Sequence, residues 1–120
     1  MEFDKIKKIL AMSDDAAIRM EIVMDLGKNL SPVPNNAECT EIKGCASFVQ
    51  ICRAGNKFYG IADSMLVRGI VAIMISMVDG KLPDEIRKMD LAQMFSELKI
   101  NVGASRLNGV NSMIRFFQNL

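Results

Sequence analysis

The group in this 120-residue chain best equipped for chemistry is the thiol of Cys45, in the stretch Lys43-Gly44-Cys45-Ala46-Ser47-Phe48-Val49. A glycine precedes it and small residues follow, so the stretch breaks an apolar approach away from a β-type run. A thiol at a turn tip can be presented to a partner, whereas one inside a strand or helix is usually buried. The chain has no histidine. That removes the commonest general base and metal ligand, and with them a Cys–His hydrolase of the usual form. A phosphatase-type cysteine needs an arginine a few residues on, in a phosphate-cradling loop. Arg53 follows too late and inside a strand pattern, and glycine-rich phosphate motifs are absent. Cys39, Cys45 and Cys52 contain no CxxC pair, so they do not match the spacing of structural zinc sites. Nucleophilic sulfur chemistry remains. Without histidine, a thiolate must be favoured by lysine, arginine or a helix N-terminus. Lys43, two residues away, and Arg106, at the start of the last helix, are the candidates. Cys39 and Cys52 read as structural thiols. The methionines, ten in number, sit mostly at core positions such as Met74 and Met77 and read as packing, not as copper ligands.

The bulk numbers bound the rest. A chain of this length makes one domain, residues 1–120, with a core that needs no staples. Half the residues are apolar and 24% are charged, as in an ordinary globular chain. The net charge of +1 gives no field directed at nucleic acid or an anionic membrane. The segment Met1-Glu2-Phe3-Asp4-Lys5 has no signal-peptide pattern. The apolar run Ile70–Val78 is too short to span a bilayer. An odd number of widely spaced cysteines reads as free thiols in a reducing cytoplasm, without a disulfide framework.

The elements that must position Cys45 follow from periodicity. Phe3, Ile6, Ile9 and Leu10 recur at helical spacing. Ser13 reads as the N-cap of a second helix, with Asp14 and Asp15 in its first turn, Ile18, Ile22 and Leu26 on its buried face, and Gly27 at its end. Pro32 and Pro34 impose an extended connector, and Asn35-Asn36 a turn. Cys39–Lys43 is a weak strand, Phe48–Arg53 a stronger one, and Lys57–Ala62 returns after the turn Ala54-Gly55-Asn56. Gly44-Cys45-Ala46 then lies at one rim of a small antiparallel sheet. Asp63 or Ser64 caps an all-round apolar helix over Met65–Val78, the central buried one. Gly69 within it costs about 1 kcal/mol relative to alanine, which is tolerable where a neighbouring strand must come close. Pro83 starts a short helix, Asp90 caps another through Leu98, and Ser105 opens the last. The fold class is α+β: a small antiparallel sheet packed against several helices.

Four blocks of the chain, in order, resemble the SufE family of sulfur acceptors, which partner cysteine desulfurases in iron–sulfur cluster assembly. Leu26-Gly27-Lys28-Asn29-Leu30-Ser31-Pro32-Val33-Pro34 resembles its LGxxLPPLP segment. Gly44-Cys45-Ala46-Ser47-Phe48-Val49 resembles its GCxSxVW motif. Ala62-Asp63-Ser64 with Val67-Arg68-Gly69 resembles its ADSD…IVRG segment, and Ser105-Arg106-Leu107-Asn108-Gly109-Val110 with Met113 its SRxxGLxxM ending. The chain departs from the pattern at Gln50, where the family has tryptophan, and between Asp63 and Arg68, about two residues shorter. The resemblance implies a fold related to the IscU-type scaffold. It also implies a motif cysteine that accepts sulfane sulfur from a SufS-like desulfurase as a persulfide and passes it to an iron–sulfur scaffold. Cys45 would be that acceptor, with Gly44, Ser47, Asp63, Arg106 and Gly109 as supporting loop and interface residues. The chain itself would carry no cofactor, since the pyridoxal phosphate (PLP) belongs to the desulfurase. Two other readings stand beside this one: a non-catalytic module that regulates a desulfurase, and a scaffold on which a cluster is built.

Overall fold

The computed structural model describes residues 1–120. Two helices come first: α1 (Phe3–Leu10) and α2 (Ala16–Leu26). A three-stranded antiparallel meander follows, in the order β1 (Glu38–Glu41), β2 (Val49–Ala54), β3 (Lys57–Ala62). Four helices complete the chain: α3 (Met65–Val78), α4 (Pro83–Arg87), α5 (Leu91–Ser96) and α6 (Ala104–Gln118). The α+β class expected from the sequence is the one observed.

Period-2 alternation sets the sheet. Val49 and Ile51 of β2 and Phe58, Gly60 and Ala62 of β3 are buried on one face. That face meets α3, in which nine of 14 residues are buried. Gly60 makes the contact possible, because a Cβ there would come within 2.3 Å of Val71 Cγ1. On its other side α3 meets α2. A Cβ on Gly69 would fall 1.8 Å from the carbonyl oxygen of Val23. The close neighbour that Gly69 admits is therefore a helix backbone and not a strand. The last helix lies against the same core, where the Phe117 ring meets Phe58 edge-on at 5.3 Å. These residues belong to one contiguous cluster of 26 buried apolar side chains.

Local signals hold with small shifts. Asp15, not Ser13, caps α2, accepting from the N–H groups of Ala17 and Ile18. Ser13 instead accepts from Asp15 N–H. The buried face of α2 is Val23 and Leu26, and Ile18 is exposed, because the helix turns its Val23 side toward Gly69. Gly27 is right-handed, not left-handed. Its lack of a side chain leaves room for Arg68, whose Cβ would be 2.8 Å from a Cβ at Gly27. Ser64 and Asp90 cap α3 and α5 as expected. The last helix starts one residue before Ser105, from Gly103 at φ 81°.

The expectation of three free thiols is overturned. Cys39 and Cys52 form a disulfide, and Cys45 is the one free cysteine. The antiparallel register sets Cys39 directly opposite Cys52. A separation of 13 residues carries no sign of this until the strands pair. Closing a ring of this size stabilises the fold by about 3 kcal/mol in the chain-entropy account.

Candidate functional site

Cys45 lies in the connection between β1 and β2, which crosses from the sheet onto α6. Two glycines make the seating possible, one on each side of the contact. Gly44 has φ 90° and rests on Ser112 of α6, with Oγ only 2.6 Å from where a Cβ would stand. A side chain at this position would be strained in its backbone and would collide with α6. Gly109, one helical turn before Ser112, lets the thiol itself approach, with Cys45 Sγ 3.1 Å from the place of a Gly109 Cβ. Ser112 is the chain's one buried polar residue. Its hydroxyl donates to Asn108 O at 3.0 Å and accepts from Arg115 Nη2 at 3.0 Å. The hydroxyl under Gly44 thus donates once and accepts once, and both bonds hold it in place.

A cavity of about 160 Å³ opens beside the thiol. Cys45, Ala46 and Ser47 form one wall, and Arg106, Gly109 and Met113 of α6 form another. Ser64, Val67 and Ile70 close it from the start of α3. The α6 residues fall at intervals of three and four, one stripe of the helix. A larger cavity, about 420 Å³, lies between α1, the connector after α2 and the β2–β3 hairpin. Its Lys57 and Asp79 pair with each other at 3.5 Å, and no cysteine lines it.

The thiol is half-buried, and burial pushes its pKa up. No positive charge offsets this. Lys43 pairs with Glu41 at 3.3 Å, and Arg106 donates from Nη1 to Val102 O at 3.3 Å. The thiol lies alongside Gly109, well past the α6 N-cap Gly103. The sequence-based expectation that lysine, arginine or a helix N-terminus favours a thiolate is therefore not met in this conformation. Desolvation prevails and favours the protonated thiol.

Of the sequence candidates, Gly44, Cys45, Ser47, Arg106 and Gly109 come together at this cavity or its floor. Asp63 does not. It is exposed at the corner between β3 and α3, and its neighbour Ser64 lines the cavity instead. Sequence reasoning missed Ser112, whose only signal was a small polar residue at the helical spacing of Gly109. Gln50 is half-buried on β2, opposite Glu41 and Ile61.

The chain is similar to known proteins along nearly its whole length. The family described as SufE, Fe-S metabolism associated domain, matches residues 4–120. A SufE-like protein of Rhizobium meliloti is 32% identical over 93% of this chain and 89% of its own. The sulfur acceptor protein CsdE of Escherichia coli is 31% identical over 73% of this chain and 66% of its own. The cysteine desulfuration protein SufE of Wigglesworthia glossinidia brevipalpis is 28% identical over 80% of this chain and 73% of its own. In fold, the solution structure of a hypothetical protein from Thermus thermophilus superposes with a TM-score of 0.62, at 18% identity, over 99% of this chain and 94% of that one. With a free cysteine seated on its last helix and a family match from residue 4 to residue 120, the chain belongs to the SufE family.

Proposed function

We propose that this protein is a sulfur acceptor for iron–sulfur metabolism, with Cys45 as the residue that carries the sulfur. One observation carries the reading: the sole free thiol of a SufE-family chain lines a cavity roomy enough for one more sulfur atom. The reaction is an exchange of thiol–disulfide type. Cys45 gives up its proton to water, and its thiolate attacks the terminal sulfur of a persulfide on a PLP-dependent cysteine desulfurase. The S–S bond of that persulfide breaks, the desulfurase cysteine leaves as a thiolate, and Cys45 becomes the persulfide. The cavity of about 160 Å³ compares with roughly 30 Å³ for a water molecule in the liquid. A persulfide drawn into it is kept from oxidants between transfers. Phe48 and Met65 are large apolar side chains left exposed, each next in the chain to a cavity-lining residue, and exposed apolar side chains of this kind suit docking of the desulfurase. In this reading Arg106 and Asp63 meet the docked partner, the chain holds no cofactor of its own, and the persulfide passes on in the cytoplasm to an iron–sulfur scaffold. Two of the three cysteines are bonded to each other, which disfavours building a cluster on this chain itself.

The test is intact mass after incubation with a cysteine desulfurase, PLP and cysteine. Sulfur transfer adds roughly 32 Da per sulfur, and the adduct maps to Cys45 and is absent from Cys45→Ser. A second reading draws on the half-buried thiol, whose protonated form burial favours: a module that binds and regulates a desulfurase without carrying sulfur. Binding without an adduct, equal in the native chain and in Cys45→Ser, selects that second reading.

A further inference from the structure

The Cys39–Cys52 bond stands apart from Cys45 and is built into the strand pairing. Ile42 N–H donates to Val49 O at 2.9 Å, so Ile42 and Val49 are a hydrogen-bonded pair of the antiparallel ladder. Counting back along the register, Cys39 and Cys52 fall at a non-hydrogen-bonded pair, where the two backbones come closest. Their Cα atoms are 4.0 Å apart. The pairing of the strands therefore sets the two sulfurs within reach of each other. Alternation along β2 turns Cys52 away from the face that carries Val49 and Ile51, so the pair lies on the outer side of the sheet. Cys45 lies on the other side, against α6 and α3.

The first strand has little else to hold it. All of Glu38–Glu41 is exposed, and β1 is an edge strand paired only to β2. With no apolar face of its own, burial does not specify its register. It is pinned at two points, the buried Ile42 and the disulfide. The covalent ring from Cys39 to Cys52 encloses the whole segment that carries Cys45. The two residues differ in exposure: Cys39 is exposed while Cys52 is fully buried.

We infer that Cys39–Cys52 is a redox site that accepts electrons from a dithiol reductant, and that its state controls how tightly the Cys45 loop is held on α6. The link to sulfur transfer rests on the reading of Cys45 as the accepting thiol. The redox chemistry itself does not. A thiolate of the reductant attacks the sulfur of Cys39, the exposed residue of the pair. The Cys39–Cys52 bond breaks, and Cys52 leaves as a thiolate and takes up a proton. The second thiol of the reductant, as its thiolate, then attacks the reductant sulfur of the mixed disulfide, releasing Cys39, which is protonated in turn. Two electrons and two protons pass from the dithiol, which becomes a disulfide, to the cysteine pair. Oxidised, the ring limits the conformations open to residues 43–48 and keeps Gly44 on Ser112 and Cys45 against Gly109. Reduced, β1 is held by its short ladder and Ile42 alone, and the loop lifts more readily to show its thiol.

The experiment needs no desulfurase, so its failure is separate from failure of the sulfur-acceptor reading. The full chain, purified without reductant, is denatured with maleimide present and weighed. One label is expected, and three after dithiothreitol. Native oxidised and native reduced chains are then alkylated with iodoacetamide at one pH, and the rate at Cys45 is followed by peptide mass. Reduction is expected to raise that rate several-fold and to speed amide exchange across residues 38–48. The Cys39→Ala/Cys52→Ala chain is expected to show the fast rate with or without dithiothreitol. Three labels before reduction, or a Cys45 rate that does not respond to reduction, overturns the inference. The wild-type comparison decides the matter even where the double variant fails to fold.

Discussion

The Cys45 thiol is set between two demands. It must be reachable by a partner, and its seat on Gly109 withdraws it from water. Burial raises its pKa, so the protonated form is favoured in the folded chain and less of the thiol is ionised near neutral pH than in a free cysteine. The sign follows for stability as well. Stability linked to this group is fully present below the ordinary thiol pKa and is lost as pH rises through the raised value. Alkylation tracks the thiolate, so its rate–pH profile for the native chain is expected to have a higher midpoint than for the denatured chain. Gly109→Ala places a methyl group within 3.1 Å of Sγ and pushes the thiol outward. Its midpoint is expected to fall back toward the ordinary value and its rate near neutral pH to rise. Coincident native and denatured profiles would show that the thiol is not seated as described.

Among the elements, α3 carries the architecture, since the sheet covers one side of it and α2 the other. The crossing with α2 is set by Gly69. Alanine there gains about 1 kcal/mol of helix propensity. It also drives a Cβ to within 1.8 Å of the Val23 carbonyl oxygen, and a backbone atom cannot rotate aside. Overpacking of this kind costs roughly 1–3 kcal/mol or more. Gly69→Ala is therefore expected to lower the urea midpoint, with a net loss of stability of up to about 2 kcal/mol or more. A gain in stability would mean that the helices have room to part. The last helix serves the site in another way. Phe117 fixes it to Phe58 in the core, and the same rigid rod carries Arg106, Gly109 and Ser112 to the thiol.

Across the whole molecule, the N-terminal helices are tied to the C-terminal half by Arg19. Its guanidinium donates to the carbonyls of Leu10, Ser13 and Leu98, joining the end of α1, the middle of the α1–α2 link and the turn just past α5. The Leu10 carbonyl is left over at a helix end and needs a donor. A single charged hydrogen bond contributes about 1.5–3 kcal/mol, and the loss of the three together is well below their sum because water partly replaces the guanidinium at this part-buried position. The exposed Lys7–Glu97 pair at 3.0 Å bridges the same region, but such a pair contributes under about 1 kcal/mol. Arg19→Met is expected to cost about 2–3 kcal/mol in chemical denaturation, at an unchanged m-value. Lys7→Met is expected to stay within about 0.5 kcal/mol of the native chain. Equal losses for the two would assign the tie to the ion pair instead.

What the sequence determined by itself is what neighbours along the chain decide. The glycine and small residues around Cys45 marked a break between two strands, and alternation placed Val49 and Ile51 inward. Ser64, Pro83 and Asp90 located helix starts, because each acts within one turn of itself. Tertiary structure decided what depends on segments far apart in the chain. Strand register brought Cys39 to Cys52. The docking of α6 set Ser112 beneath Gly44 and Gly109 against the thiol, and so made burial the dominant influence on its pKa. The crossing of α2 and α3 chose Val23, not Ile18, as the buried side. Periodicity tells which face of an element is apolar. Only packing tells which element covers it, and so whether a thiol in that space is charged, bonded or free.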